Sequence, residues 1–328
     1  MPKYSSSPSD VVLVTGAAGF IGSRIVELLS KKGQQVLGVD GFLETTYSST
    51  LKRRRFEEIS KLPHVDFMIG DLRNANFVES LPKVEYIINC AAMPGLMLSW
   101  NQFSDYLSCN VEVVKNLLEY SKKSKVKNFV HSSTSSVYGK FAQGSEDSEL
   151  LPFSPYGVSK LAAEHLISAY SANFNIPFTI LRYFSVYGPR QRPDMFYSIL
   201  CNNLLKNEKT FIYGDGKSTR TNTYVDDVAR VSIEAIDLPQ LRNQIVNISG
   251  VEEISVIQAV KVLSEILDVK PKIEFCPIRP GDQAKTAGDI TKAKSLGLEV
   301  NRMTLLEGLK LQALHAKEVF QTFGSIHE

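Results

Sequence analysis

The sequence predicts an α/β fold, in which helices cover both faces of a doubly wound parallel sheet and a smaller, mixed α/β lobe follows towards the C-terminus. Three observations predict it. Apolar runs of strand length alternate with helical patterns over the first 184 residues. A glycine-rich turn joins the first strand to the first helix. Polar motifs follow several strand ends, where ligands bind to such sheets.

The elements are expected in a regular order. A buried strand at 11–15 precedes a helix at 20–32, and further strands are expected at 35–39, 65–69, 84–89, 127–131 and 177–183. A helix from about 195 to 207 and a strand at 210–213 belong to the second lobe. Residues 1–184 should form the first domain, to which 223–250 return, and 185–328 the second lobe.

The glycine-rich turn predicts a dinucleotide site of the Rossmann type. Gly16, Gly19 and Gly22 let the backbone turn tightly and approach a pyrophosphate at the helix N-terminus. Asp40 ends the second strand, where a carboxylate binds the adenosine ribose and repels a 2′-phosphate. NAD is therefore the expected cofactor. The basic run at 52–55 is interpreted as a solvated helix face.

A second pattern predicts an alcohol-oxidising centre. Tyr156 and Lys160 lie one helical turn apart on the same face. A nearby ammonium favours the phenolate, so Tyr156 could accept a hydroxyl proton while Thr134, from a Ser/Thr cluster, holds the same oxygen. A Tyr and a Lys four residues apart often occur by chance. Together with the glycine-rich turn and the strand pattern, however, this spacing is specific for an alcohol-oxidising centre.

Charge and composition exclude several classes of protein. A net charge of +2 in 328 residues gives no electrostatic reason to expect nucleic acid or a membrane as a partner. Residues 1–10 form a polar tail without an apolar signal segment. The four cysteines have no CxxC spacing and fall mostly in apolar segments, which favours reduced thiols in a cytoplasmic protein. The five histidines form no metal-binding pattern, and His131 and His165 are interpreted as packing or supporting groups.

Four arginines on loops beside the expected cleft suggest an anionic substrate. Guanidinium groups bind phosphate and carboxylate in a bidentate manner. One or two of the four should be ordinary surface residues. They are Arg190, Arg192, Arg220 and Arg279.

The whole pattern resembles a known family, the extended short-chain dehydrogenases/reductases that act on nucleotide sugars, and within it the UDP-glucuronate 4-epimerases. The resemblance covers 11–293 and is carried by the stretches at 91–100, 133–139, 154–160 and 181–195. It implies an NAD-dependent 4-epimerase, most similar to those converting UDP-glucuronate to UDP-galacturonate through a 4-keto sugar.

The resemblance also implies roles for individual residues. Thr134, Tyr156 and Lys160 take the catalytic positions. The cofactor positions are Gly16, Gly19, Phe20, Ile21, Gly22, Asp40, Asp71, Leu72, Ala91, Ala92, Tyr156 and Lys160. The substrate positions are Ser133, Ser135, Ser136, Ser185, Arg192, Phe211, Tyr213, Arg220, Arg279 and Asp282. Among these, Arg192 falls near the sugar carboxylate.

The chain departs from the family pattern in three places. Leu96, Met97 and Leu98 stand where an arginine is usual, which removes a cation from the expected sugar pocket. Ser185 replaces Thr or Asn. The pair Thr221-Asn222 replaces Asp-Phe.

Alternatives therefore remain open. A UDP-glucose or UDP-N-acetylglucosamine 4-epimerase would use the same chemistry. A UDP-glucuronate decarboxylase usually has Glu at the position of Ser136, and a 4,6-dehydratase has Asp-Glu where Ser135 and Ser136 stand. A non-catalytic NAD-sensing protein would be expected to lose Tyr156 or Lys160.

A homodimer is also expected. The helices near 101–123 and 155–174 carry apolar residues on more than one face, which suggests a two-fold four-helix interface, as this family often forms. The residues that suggest it are Val111, Val114, Leu117, Leu118, Leu161, Leu166, Ile167 and Tyr170.

Overall fold

A computed structural model describes residues 7, 9–44, 46–279, 283 and 285–325 of the chain. Its strands are β1 Val11–Thr15, β2 Gln35–Asp40, β3 Val65–Ile69, β4 Tyr86–Asn89, β5 Asn128–Thr134, β6 Phe141–Gly144, β7 Phe178–Tyr183, β8 Val186–Tyr187, β9 Lys209–Tyr213, β10 Thr219–Thr221, β11 Thr223–Tyr224, β12 Gln244–Ile248, β13 Glu253–Ser255, β14 Lys272–Cys276 and β15 Lys285–Gly288.

The helices are α1 Phe20–Lys31, α2 Ser49–Ile59, α3 Ala75–Glu79, α4 Phe103–Leu107, α5 Val113–Ser124, α6 Pro155–Phe174, α7 Phe196–Leu205, α8 Val225–Asp237, α9 Val256–Leu267, α10 Thr291–Ser295 and α11 Leu305–Phe323. A π-helical turn at Ser108–Glu112 joins α4 to α5. The predicted elements are present, with ends shifted by a few residues; β4 begins at Tyr86 and β5 continues to Thr134.

The central sheet is parallel and doubly wound, as predicted. Its seven strands follow the order β12-β7-β5-β4-β1-β2-β3. From β1 the chain builds the sheet outwards through β2 and β3, and it then crosses to β4 on the other side of β1 and continues in the opposite direction. The strand order therefore reverses between β1 and β4, which opens a crevice at the carboxyl ends of these two strands.

Alternation along the strands builds two apolar layers. On β1, Val12 and Val14 face the cluster that holds α1 and α8, whereas Leu13 faces the cluster that holds α5 and α6. Successive strand side chains point to opposite faces, so the apolar strands are buried on both sides.

Local signals position the helix that carries the tyrosine. Ser154 caps α6 by accepting a hydrogen bond from the Gly157 N–H at 3.1 Å, and Pro155 occupies the first turn. Asn175 ends the helix in a left-handed conformation. The start of α6 is thus held beside the end of β5.

The second lobe contains small sheets. Its four-stranded sheet has the order β13-β10-β15-β6, and β9 pairs with β14. α8 packs on α1, and β12 joins β7 of the central sheet. The division at 184/185 stays a prediction; β6, from the first of the two segments, pairs with β15 of the second.

Two further features concern the described residues only. None of their helices is long and apolar enough to cross a membrane. Nor do three or more His, Cys, Asp or Glu side chains gather among them where a metal ion could be held.

Candidate active site

The glycine turn forms the floor of the cleft. Gly16 has a φ of +62°, and a Cβ there would lie 2.9 Å from the Ala91 nitrogen, so a side chain would be strained and crowded. α1 then begins after Gly19, with no side chain to cap its first N–H groups. This leaves donors and the positive end of a helix dipole at the cleft, which suits a pyrophosphate.

Asp40 lies at the end of β2 on the wall of the same cleft. Its carboxylate accepts hydrogen bonds from the Phe42 N–H at 2.8 Å and the Ala18 N–H at 3.1 Å. Burial raises the pKa of Asp40, while these hydrogen bonds and the charge of Lys52 oppose that shift. The side chain is thus held in one orientation, where it could bind ribose hydroxyls.

The interpretation of residues 52–55 as a solvated face was wrong for two of them. Lys52 and Arg55 are only 8% and 6% exposed. The Lys52 amine lines the cofactor cleft and donates to the Leu43 carbonyl at 2.6 Å, and Arg55 donates to the Arg190 carbonyl at 2.7 Å. The helix packs these two cations inward because they share one face, three residues apart.

The remaining predicted cofactor residues surround this cleft. Its lining includes Gly16, Gly19, Phe20, Ile21, Gly22, Asp71, Leu72, Ala91 and Ala92. Asp71 is held by Arg73, two residues later, in a bidentate ion pair: Nε donates to Oδ1 at 3.0 Å and Nη2 donates to Oδ2 at 2.7 Å. The donors, the carboxylate and the narrow glycine floor together fit NAD.

Tyr156 and Thr134 meet beside this cleft. The Thr134 side chain lies within hydrogen-bonding reach of the Tyr156 phenol and lowers its pKa, as does the charge of Arg192, but burial dominates and raises the pKa of Tyr156. The Thr134 hydroxyl also accepts a hydrogen bond from the Ser136 N–H at 3.1 Å. The cation that lowers the pKa of the Tyr156 phenol here is Arg192. The predicted role of Lys160, to keep Tyr156 ionised, stays a prediction.

Lys160 is buried below the cleft. Its amine donates to the Ser132 carbonyl at 2.7 Å and lies 3.1 Å from Nε2 of His131. Burial lowers the pKa of Lys160 to about 8, with the charge of Glu164 acting in the opposite direction. Glu164 itself is held by the buried Arg182 at 2.7 Å.

Arg192 reaches the same region from the loop before α7. It lines the cofactor cleft, and its Nε and Nη2 each donate to an Asp194 carboxylate oxygen at 2.9 Å. Its side chain is 19% exposed. Arg190, two residues earlier, instead forms ion pairs with Glu27 and Glu58. One of the four loop arginines is therefore occupied away from the cleft.

A second cavity lies in the C-terminal lobe. It is lined by Ser185, Phe211, Tyr213, Arg220 and Arg279, all predicted to bind substrate. The Arg279 guanidinium lies over the Tyr213 ring, 4.0 Å from its centroid. Arg220 donates to the Thr219 and Gln283 carbonyls. Arginines and exposed aromatic rings at one site are suited to a diphosphate and a base.

The other predicted substrate residues, Ser133, Ser135 and Ser136, do not line either cavity. Ser135 and Ser136 are buried in the turn after β5, next to Thr134. The Ser133 hydroxyl donates to Glu164, inside a buried network with Arg182. Asp282 lies outside the described residues.

Several lining residues were not anticipated. The cofactor cleft also contains Tyr47, Lys52, Cys90 and Cys109, and the second cavity contains Asn222 and Gln283. The sequence could have indicated Lys52, since this residue lies twelve positions after Asp40, on the helix that follows the second strand. No sequence pattern indicated Cys109, which lies in the π-helical turn at Ser108–Glu112.

The chain is similar in sequence to known proteins. The chain is 38% identical to YtcB of Bacillus subtilis (strain 168), described as an uncharacterized UDP-glucose epimerase, over 94% of this chain and 99% of that one. It is 35% identical to a UDP-glucuronate 4-epimerase of Thermodesulfobacterium geofontis (strain OPF15), over 96% and 98%.

A solved structure is also similar. The UDP-glucuronic acid 4-epimerase from Bacillus cereus, in complex with UDP-glucuronic acid and NAD, has a TM-score of 0.90 and 37% identity over 94% of this chain and 99% of that one. The NAD dependent epimerase/dehydratase family matches residues 12–249. The chain therefore belongs to the NAD dependent epimerase/dehydratase family.

Proposed function

We propose that the protein is a 4-epimerase of UDP-sugars that interconverts UDP-glucuronate and UDP-galacturonate. One observation carries the proposal: the Tyr156 phenol, the Thr134 side chain and the Arg192 charge meet beside the NAD cleft. An alcohol group of a bound sugar and a neighbouring carboxylate would find a base and a cation there. Similarity to two UDP-glucuronate 4-epimerases supports it.

The two cavities suit the two halves of the substrate. Arg220 and Arg279 would bind the diphosphate, and Phe211 and Tyr213 would contact the base. The sugar would then extend towards Tyr156. Firm binding of the diphosphate and looser binding of the sugar would allow the 4-keto sugar to turn between proton transfers.

The chain supplies acid–base chemistry. Tyr156 as phenolate would take the proton of the 4-hydroxyl, and Thr134 would hold the same oxygen. NAD, held by the glycine turn and Asp40, would supply a reversible acceptor for the C4 hydride, which the opposite face of the sugar would receive back. Tyr156 would return its proton to the epimeric oxygen, so that the residue ends in its starting state.

Glucuronate adds a hazard that Arg192 would control. A 4-keto uronic acid is a β-keto acid, which loses CO₂ when the carboxylate bond stands perpendicular to the carbonyl plane. A guanidinium fixed by Asp194 could hold the carboxylate away from that geometry. Arg192 would thus act in both recognition and protection.

A neutral hexose is the second candidate. Leu96–Leu98 bring apolar side chains where the family usually has an arginine, and Met97 is 39% exposed. YtcB, the relative with 38% identity, is described as a UDP-glucose epimerase. A pocket with one cation in place of two would discriminate less strongly against a sugar without a carboxylate.

A substrate panel separates these possibilities. The purified enzyme is incubated with NAD and, separately, UDP-glucuronate, UDP-glucose and UDP-N-acetylglucosamine, and products are read by proton NMR of the anomeric region. UDP-galacturonate formed at the highest kcat/KM supports the proposal. A higher kcat/KM for UDP-glucose contradicts it, and a 4-keto pentose as main product would indicate a decarboxylase.

A homodimer is a second part of the proposal, on a corrected set of residues. Val114, Leu117, Leu118 and Ile167 are buried in the protomer core and are not available for an interface. Phe103 and Leu107 of α4 and Val158 of α6 are exposed, on helices that pack together. Sedimentation at micromolar concentration should show a dimer that Phe103→Glu weakens; a monomeric wild type would contradict it.

A cytoplasmic location is proposed on chemical grounds. All four cysteines are free thiols, and two of them, Cys90 and Cys109, line the cofactor cleft. Unpaired thiols suit a reducing compartment. Fractionation that recovers the protein outside the cytoplasm would contradict this.

A further inference from the structure

A row of polar side chains crosses the central sheet beneath the active site. Thr15, Asn89 and His131 are register partners on the adjacent strands β1, β4 and β5. All three are at most 1% exposed. The Thr15 hydroxyl donates to Asn89 Oδ1 at 2.6 Å, and Asn89 Nδ2 lies 3.1 Å from His131 Nδ1.

The row ends at the predicted catalytic lysine. His131 Nε2 lies 3.1 Å from the Lys160 amine, and the Ser132 carbonyl accepts from the same amine at 2.7 Å. An ammonium has three N–H donors. Two of them are therefore directed to His131 and to the Ser132 carbonyl.

Among the residues that the structure describes, no carboxylate forms an ion pair with Lys160. The nearest acid on its own helix, Glu164, is held by Arg182 of β7 and by the Ser133 hydroxyl of β5. Cys90, directly after β4, is a further titratable neighbour, and burial raises its pKa to about 11, so it stays neutral at ordinary pH. The buried amine therefore makes its hydrogen bonds to neutral groups, while the charge of Glu164 supports it without a direct ion pair.

We propose that His131 is the positioning residue for Lys160: its imidazole lone pair gives the buried amine a neutral acceptor, which holds it charged and directed towards the cofactor cleft. This rests on the proposed role of Lys160 in catalysis. Burial keeps His131 neutral, since its pKa lies well below the ordinary value.

The rest of the row controls which nitrogen of His131 can accept. A neutral imidazole has one N–H and one lone pair. If Nε2 accepts from a charged Lys160, Nδ1 carries the proton and Asn89 must present its oxygen to the ring, with Nδ2 turned to Thr15. The structure places Asn89 in the opposite orientation, with Oδ1 accepting from Thr15 and Nδ2 at the ring. In that orientation Nδ1 accepts and Nε2 carries the proton, which matches a neutral amine, so the proposal requires the Asn89 amide to turn when Lys160 is charged. The charge of Lys160 is thus coupled to the orientation of Asn89.

Direct titration of Lys160 tests the inference without relying on turnover. The NAD-loaded enzyme is labelled at lysine Cε, and the Lys160 signal, assigned with Lys160→Met, is followed against pH by NMR. In His131→Phe the pKa of Lys160 should fall by at least about one unit, because the charged form loses an acceptor. In His131→Gln the side-chain oxygen should restore most of the difference.

A matched variant controls for packing. Phe129 is buried on the same strand, and its ring stacks on His131 at 6.4 Å between centroids. Phe129→Leu disturbs the same cluster but keeps the imidazole, so the pKa of Lys160 should be unchanged. An unchanged pKa in folded His131→Phe, or an equal fall in Phe129→Leu, would overturn the proposal.

The pH–rate profile gives a second readout. If charged Lys160 is needed, the alkaline limb of kcat should move to lower pH in His131→Phe and largely return in His131→Gln. Loss of activity without displacement of this limb would show a merely structural role. If the wild type turns over no UDP-sugar, the proposed function fails, while the NMR titration still tests His131.

Discussion

Arg192→Ala tests how the sugar carboxylate is recognised. Asp194 occupies Nε and one N–H of Nη2, so Nη1 and the second Nη2 hydrogen remain for a ligand. Hydrogen bonds to a charged group contribute about 1.5–3 kcal/mol each. Losing one such bond should lower kcat/KM for UDP-glucuronate by about 10- to 150-fold. UDP-glucose has no carboxylate, so its kcat/KM should change by no more than about threefold.

The variant should also alter the product. A carboxylate free to rotate should allow the 4-keto sugar to lose CO₂, so UDP-4-keto-pentose should appear beside the epimer in anomeric proton NMR, with matching CO₂ release. Arg192→Ala alone leaves Asp194 without its partner, and this carboxylate would repel the substrate. The double variant Arg192→Ala/Asp194→Asn removes that charge and isolates the loss of the guanidinium.

The reasoning is refuted if both variants handle UDP-glucuronate like the wild type and release no CO₂. The carboxylate would then not be recognised by Arg192, and a neutral UDP-hexose would be the better substrate. Equal losses for UDP-glucuronate and UDP-glucose would instead show that Arg192 acts on the phenol of Tyr156, which its charge also affects.

Three further outcomes are expected. Tyr156→Phe should lose at least ~100-fold in kcat while still binding NAD, because it removes the proposed base; near-normal turnover would contradict the mechanism. Turnover should leave no net NADH, so growth of absorbance at 340 nm in step with product would indicate a dehydrogenase. Folding should lower the pKa of Lys160 from 10.5 to about 8, so the unfolded chain binds the extra proton between these values. The free energy of unfolding should therefore rise with pH in that window, by up to about 3 kcal/mol relative to Lys160→Met, in urea titrations; a flat difference would contradict the buried charge.

The sequence by itself determined the fold class and predicted the candidate chemical centre, because both depend on local spacing. Alternating apolar runs place strand side chains on two faces, and the tight turn at Gly16 requires a residue without Cβ. The four-residue separation of Tyr156 and Lys160 needs only a helix to bring them to one face. The carboxyl ends of β1, β2 and β5 then gather the motifs that follow them, as parallel strands must.

Only the tertiary structure decided what each charged group contacts. The sequence predicted Lys52 and Arg55 to be surface charges, but the packing of α2 buries both of them, and Lys52 lines the cofactor cleft. Arg190 and Arg192 are two residues apart on one loop, but one binds glutamates of two helices and the other faces the active site. His131 contacts Lys160 across 29 positions of chain. Such pairings depend on long-range packing, which local spacing does not encode.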